Sequence, residues 1–439
     1  MGETKERRGF MEQTNEIPKW LEGGKINEVE FAREFLKEHG MVCCDRAFFS
    51  EEGRVTDLWL LRQKIYNKLK GHVKTGLARK VESILTTMRM ETGEHYLEWN
   101  PDIIHVANGT IDLNDGFSND KRICRHRLPV NYCFPCQEPE TWLNFLDQLL
   151  SPMDIMTLQE YMGYCLIPTT KAQKMLLIIG SGGEGKSRIG VVLKGILGNN
   201  LSLGSIAKIE QSPFARADLE HLLVMVDDDM QMEALSSTNH LKSIITAELP
   251  MDLERKGEQS YQGLLTVRFL AFGNGALRAL HDRSHGFFRR QIILKTLPRD
   301  PDRIDDPDLS QKLLAEKDAI FMWCLAGLIR LRKNNFVFTL SDEAMSNLSK
   351  AEAESNNIPE FMASTGYIEF RWGASTTSRQ LYGAYENWCR DNVLHPLAHR
   401  TFSAYLREHT LDYNLDYTCH IPIAGGKHAR GFRGIRVLE

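Results

Sequence analysis

The sequence predicts an α/β protein built on a parallel sheet, with a mixed domain ahead of the sheet and a smaller helix-and-hairpin module behind it. Three observations carry this. A continuous apolar run at 174–180 (KMLLIIG) has the length and texture of a strand buried on both faces, and 222–226 (LLVMV) and 266–272 (TVRFLAF) read as a second and a third buried strand. Helical and loop segments, not tight turns, separate these runs, as parallel strands require. Beyond residue 379 the pattern becomes helix, turn, helix and two strands joined by a glycine-rich turn.

Taken in chain order, residues 1–25 are polar and read as a tail or a loosely docked arm. Residues 26–100 read as helical, for example VEFAREFLKEHG at 29–40, closed by a glycine at the helix end. IIHVANGTIDL at 103–113 reads as two short strands around an Asn-Gly turn. A proline-containing loop at 129–140 leads into helices at 141–150 and 153–166, where Leu158, Met162 and Leu166 recur at helical spacing. An apolar helix, RIGVVLKGILG, follows the first core strand, and QIILKTL at 291–297 reads as a further strand. After 300 the chain is helical again, with LAGLIRLRK at 325–333, and 334–378 holds another helix and a linker. The expected divisions are a tail (1–25), an N-terminal domain (26–140), a core (141–300), a helical lid and linker (301–370) and a terminal module (371–439).

The balance of 54 Lys and Arg against 58 Asp and Glu gives a net charge of −4, which excludes a protein coated in basic charge but not one with local basic clusters. No run approaches the length of a membrane span, and the opening MGETKERRGF lacks the apolar stretch of a secretory signal. Nine cysteines without a regular framework fit a reduced, cytoplasmic setting. Cys124, His126, Cys133 and Cys136 lie close in sequence, but a second matched pair of zinc ligands is missing, so buried thiols are the favoured reading over a zinc site.

The chemistry is concentrated after the first core strand. Gly180, Ser181, Gly182, Gly183, Glu184, Gly185, Lys186 and Ser187 fit the phosphate-binding loop pattern, between a strand and a helix as that pattern demands. Glycines let backbone N–H groups turn inward around phosphates, and the helix N-terminus adds its positive dipole. Lys186, expected to be an exposed loop lysine, would reach the β- and γ-phosphates of ATP, and the Ser187 hydroxyl would bind Mg²⁺. The second strand runs into Asp227, Asp228 and Asp229; Asp227 is expected to hold Mg²⁺ and Asp228 to orient or deprotonate the attacking water. The third strand ends in Asn274, placed to position that water. Arg289 and Arg290 precede the next strand and suit a finger offered to the ATP of an adjacent subunit.

In this order the motifs resemble a superfamily 3 helicase of the poxvirus and satellite-phage primase-helicase branch. ANGTIDL (107–113), RLPVNY (127–132) and LQEYMGYCLIPTT (158–170) look like the domain that precedes the ATPase there. The resemblance implies an AAA+-type core with ATP and Mg²⁺, working as a ring, a hexamer, on single- and double-stranded DNA. It implies replication of a phage, plasmid or integrated element in a bacterial or phage-infected cell. The stretch HLKSIITAELPMDLERKGEQSY (240–261) matches the family's channel hairpin, with Lys242 near the subunit interface and Arg255 and Lys256 at the tip. The match departs at Gly257 and Glu258, where some relatives carry histidine, at Glu248 and Leu249 in place of Gly-Asp, and at Glu184 in place of asparagine.

The end of the chain resembles a winged helix. Leu381, Tyr385 and Trp388 give its first helix an apolar face, and 399–409 would be the recognition helix, with Phe402 and Leu406 inward and Arg400 outward. Lys427, His428 and Arg430 would sit on the wing and contact phosphates. The residues ahead of Ala107 are too few for the catalytic primase domain of satellite-phage relatives, so a helicase without primase activity is expected, with replication proteins such as a separate primase among its candidate partners. Two alternatives remain at this level: a non-unwinding, ATP-controlled origin-binding switch, and an ATPase of a phage-defence system.

Overall fold

The computed structural model describes residues 18–91, 97, 99–230, 235, 237–277, 285–392, 394, 396–423 and 426–438. Its centre is a five-stranded sheet: β1 (Met175–Ile179), β2 (Leu201–Leu203), β3 (Val224–Asp227), β4 (Arg268–Gly273) and β5 (Gln291–Lys295). The strands lie in the order β2-β3-β4-β1-β5, and every pairing is parallel. Side chains alternate across a strand, and both faces are covered. Leu176 and Ile178 enter one core with Phe145, Ile189 and Phe321, whereas Met175 and Leu177 enter the other with Ile206, Leu241 and Phe269.

Helix α1 (Ser187–Leu197) follows β1, α2 (Ile206–Gln211) follows β2, and α3 (Asn239–Ile245) follows β3. The helices at Glu140–Leu149 and Pro152–Tyr164 form as expected, the second opened by Ser151, which accepts the Asp154 N–H. The helix at Pro152–Tyr164 packs tightly on the helix at Lys317–Lys333. The close approach needs two glycines: a Cβ on Gly163 would meet the Cys324 carbonyl at 2.4 Å, and one on Gly327 would meet the Gln159 carbonyl at 2.3 Å. The fully buried Glu160 pairs with Arg330 at 2.7 Å and accepts the Thr339 N–H at 2.7 Å. Residues 317–339 are therefore packed into the same core as the sheet.

The N-terminal region differs from an all-helical reading. Helices at Glu28–Glu38, Leu58–Leu69 and Leu77–Met90 are present, but Val42–Cys44, Ala47–Ser50 and Gly53–Arg54 make an antiparallel meander. Its first turn places Asp45 and Arg46 at φ 46° and 66°, the double left-handed conformation that a two-residue hairpin demands. From residue 18 the expected tail is docked: Trp20 is buried against Phe31. Residues 1–17 lie outside the described residues. The hairpin at Ile103–Val106 and Gly109–Asp112 forms, but it turns at Ala107 and Asn108, not at an Asn-Gly pair, since Gly109 is paired with Val106 in the second strand.

The terminal module has a buried core of its own around Phe361, Tyr385, Phe402 and Phe432. It contains β6 (Ile368–Thr377), α4 (Ser378–Asp391), α5 (His399–Glu408), β7 (Asp416–Ile423) and β8 (Lys427–Val437), with strand order β6-β8-β7. β6 occupies what the sequence marks as linker. It pairs with β8 from Ile368↔Val437 to Thr377↔Gly431, and a bulge between Phe370 and Ser375 breaks the alternation that would have revealed it.

Candidate nucleotide-binding site

The strand order decides where the motifs meet. β4 lies between β1 and β3, so the loop after β1, the acids after β3 and Asn274 after β4 share one edge of the sheet. Gly180 starts the loop by donating its N–H to the Gly273 carbonyl at 3.1 Å. A Cβ here would lie 2.2 Å from Thr296 Oγ1. Gly182, Gly183 and Gly185 sit at φ 109°, 80° and 102°, conformations that strain any residue with a Cβ. Past the exposed Ser181, residues 182–188 line a cleft of about 560 Å³ together with Asp228, Asp229, Asn274, Arg299 and Arg303.

Lys186 is not exposed. It is 8% accessible, and its Nζ donates to Glu184 Oε2 at 2.8 Å. The same carboxylate accepts the Gly182 N–H at 2.9 Å and 3.0 Å. Burial alone would raise the Glu184 pKa, but the Lys186 hydrogen bond and the backbone N–H groups outweigh it and hold it below the usual carboxylate range. An anion thus already lies in the cradle, on the backbone and ammonium donors expected to face phosphate oxygens. The donor set fits an anionic ligand on this observation.

The acids divide differently from the sequence expectation. Asp227 ends β3 with its side chain turned away from the cleft, buried, and its Oδ2 accepts the Ile206 N–H at the start of α2 at 2.8 Å. Burial pushes its pKa up. Asp227, expected to face a metal ion in the cleft, is turned away from it, whereas Asp228 is exposed on the cleft wall beside Asp229. From α2 the connection continues: Glu210 accepts the Leu241 N–H at 2.6 Å, holding the start of α3, where Lys242 is half-buried.

No motif in the sequence marks Arg299 and Arg303. Arg299 Nη1 donates to the Gly183 carbonyl at 3.3 Å and Arg303 Nη1 to the Glu184 carbonyl at 2.8 Å. Their only sequence signal is i,i+4 spacing within RDPDRIDD, which resembles a solvated charged loop. Arg289 and Arg290 lie at the far end of the sheet. The Arg290 carbonyl accepts the N–H of Met175, the first residue of β1, so the length of β1, about 16 Å, separates them from the loop of their own chain. Arg289 is exposed there.

Between α3 and β4, Met251–Leu253 and Tyr261–Gly263 form the expected hairpin, turning at Gly257 with φ 81°. Lys256 is exposed at its end. Arg255 corrects the expectation of two tip cations: it is half-buried on the flank, donating to Glu220 Oε2 and to the Tyr261 hydroxyl, both at 2.8 Å. Glu258 and Tyr261 meet Arg46 of the N-terminal meander, at 3.3 Å and 3.9 Å. In the terminal module Arg400 is exposed on α5 while Phe402 and Leu406 are buried; Lys427, His428 and Arg430 are exposed on β8.

The cysteine cluster does not converge. His126 is buried with its Nδ1 on Asn200 Oδ1 at 3.1 Å, and burial pushes its pKa down to about 3. Burial drives Cys124 up to about 11 and Cys133 up to about 12. Among the described residues no three His, Cys, Asp or Glu side chains are grouped to hold a metal ion. Nor, among them, is any helix long and apolar enough to cross a membrane.

Comparison with solved structures places this architecture. The fold is similar to that of the NrS-1 C-terminal region. The apo structure of that region (305–718) matches with TM-score 0.53 at 13% identity, covering 93% of this chain and 100% of the other. A second, the A form apo structure, matches with TM-score 0.50 at 13% identity, covering 92% and 98%. A family described as being of unknown function (DUF5906) matches residues 178–290, the span from β1 to the arginine pair. No curated protein matches the chain.

Proposed function

We propose that the chain is an ATP-driven DNA helicase or translocase of the superfamily 3, AAA+ type, assembled as a ring and used in replicating a mobile element such as a phage. The observation that carries this reading is the convergence of Lys186 and Ser187, Asp228 and Asn274 at the ends of three neighbouring strands, around a cradle that already binds an anion.

Lys186 and the N–H groups of 182–186 hold the β- and γ-phosphates, in place of the Glu184 carboxylate. Ser187 Oγ and Asp228 are the oxygens this chain offers to Mg²⁺, which supplies charge neutralisation on the phosphates when bound. Asp229 or Asp228 accepts a hydrogen bond from the attacking water, and the Asn274 amide fixes its direction. Arg299 and Arg303 bring positive charge to the same cleft, where it would stabilise the negative charge on the transferred γ-phosphoryl group and the leaving diphosphate.

The test is strand displacement on a tailed duplex with and without ATP, alongside phosphate release with and without single-stranded DNA. Displacement that requires ATP supports the reading; hydrolysis and duplex binding without displacement would support an origin-binding switch instead. Lys256→Ala is expected to suppress displacement and DNA-stimulated hydrolysis while sparing basal hydrolysis, because Lys256 is exposed and remote from the cleft.

The wing makes a separate prediction. Triple replacement of Lys427, His428 and Arg430 by alanine should lower the slope of log duplex affinity against log salt by about two, if two cations displace counterions from phosphates. A salt titration of intact and substituted protein reads this directly, and an unchanged slope removes the wing from the phosphate contacts.

A further inference from the structure

The terminal module carries an aromatic cluster that neither the nucleotide cleft nor the wing cations use. Trp372 is 100% exposed. It stands on the β6 bulge between Phe370 and Ser375, where Gly373 at φ 78° lets the chain turn outward. A tryptophan is rarely left wholly in water, since its large apolar rings gain most from burial. Phe370, beside it, is 46% exposed.

The geometry around Phe370 is more specific than an apolar patch. Its ring and that of Tyr413 lie 11° from parallel with centroids 6.5 Å apart. This is an offset parallel pair, within the ordinary range for aromatic rings in contact. Phe370, Trp372 and Tyr413 line a slot of about 410 Å³ with Arg371, Asp412 and Asn414. Arg371 is exposed at the slot, and the acid there, Asp412, is paired with His409 at 2.7 Å.

We propose that Phe370, Trp372 and Tyr413, with Arg371, form a base-stacking site for single-stranded DNA: one base stacks on the exposed Trp372, and a neighbour enters the slot against the exposed part of Phe370. Aromatic faces interleaved with a cation suit unpaired strands and tolerate any sequence, because every base offers a π-face. Paired bases in a duplex already have their faces covered, so the site selects the unpaired strand. The wing cations would hold the backbone of the duplex. The inference rests on the reading that the chain acts on DNA but is independent of ATP hydrolysis.

The experiment is fluorescence anisotropy of a labelled oligothymidylate and of a duplex of the same length, with the full chain and no nucleotide. Trp372→Ala removes no buried packing, and circular dichroism checks its fold. Single-strand affinity is expected to fall roughly 5- to 150-fold, the measured range for losing one stacked base. Duplex affinity and basal ATP hydrolysis are expected to hold, and Trp372→Phe to keep most of the single-strand binding. Single-strand affinity within twofold of the parent overturns the proposal. So does an equal loss for both DNA forms, or a change in oligomeric state by light scattering, which would make the patch a self-association surface. If the parent protein binds neither form of DNA, the reading of DNA action fails as well. If the parent binds and Trp372→Ala binds equally, the stacking site alone fails.

Discussion

Lys186→Ala is expected to lower ATP hydrolysis by at least about 10²–10³, the usual loss when one preorganised donor to a developing anion is removed. It is also expected to destabilise the fold, because Lys186 is buried against Glu184 and its removal leaves a buried carboxylate without its counterion. The double variant Lys186→Ala with Glu184→Gln separates the two effects. The neutral amide needs no counterion, so thermal stability should return while hydrolysis stays absent. Phosphate release and thermal unfolding on the three proteins are the measurements. Normal turnover in either lysine variant would remove the nucleotide reading altogether.

The second large effect concerns Arg289. It lies at the opposite edge of the sheet from the cradle of its own chain, so any service to a nucleotide must be rendered to another subunit. An arginine supplied in this way is worth about 10³–10⁵ in rate. Arg289→Ala protein and Lys186→Ala protein are each expected to be inactive alone. Mixed, they should recover part of the activity, since some interfaces then pair an intact arginine with an intact cradle. Arg289 is the better choice than Arg290 for this test, because it is exposed while Arg290 is half-buried and bonds the Gly286 carbonyl. No recovery in a demonstrably mixed assembly would reduce the arginines to a structural role.

The parts of the fold legible in the sequence are those where one physical cause dominates. β1, β3 and β4 are buried on both faces, and that demands the largely apolar runs by which they are read; Arg268, the exception in β4, donates to the Thr169 and Cys165 carbonyls. The glycines of the loop are legible because their φ values exclude other residues. β2 escapes because three residues, Leu201–Leu203, are too short to show a period. β6 escapes because its bulge breaks the alternation, and the N-terminal meander because its turn uses Asp45 and Arg46 where glycine or asparagine is the familiar signal. At the site, sequence order locates the acids but not which one faces the cleft. That depends on the last peptide of β3, which sends Asp227 to Ile206 and leaves Asp228 outward. Arg299 and Arg303 reach the cleft only through the path of the chain after β5, which no local pattern encodes.

Glu184 gives the cradle a resident anion, so on the proposed reading nucleotide binding is an exchange and not a capture. The free energy of its bonds to Lys186 and Gly182 is subtracted from the affinity of every nucleotide alike, substrate and product. It is regained as each one leaves, because the carboxylate returns to the donors that the departing phosphate vacates. A bare ammonium and a ring of unsatisfied N–H groups never have to face the departing product. The barrier to release falls accordingly, and release is a common limit on turnover. A neutral asparagine, the usual residue of the branch this chain resembles, offers no charge for that exchange. The acidic residue favours a short residence time over tight retention.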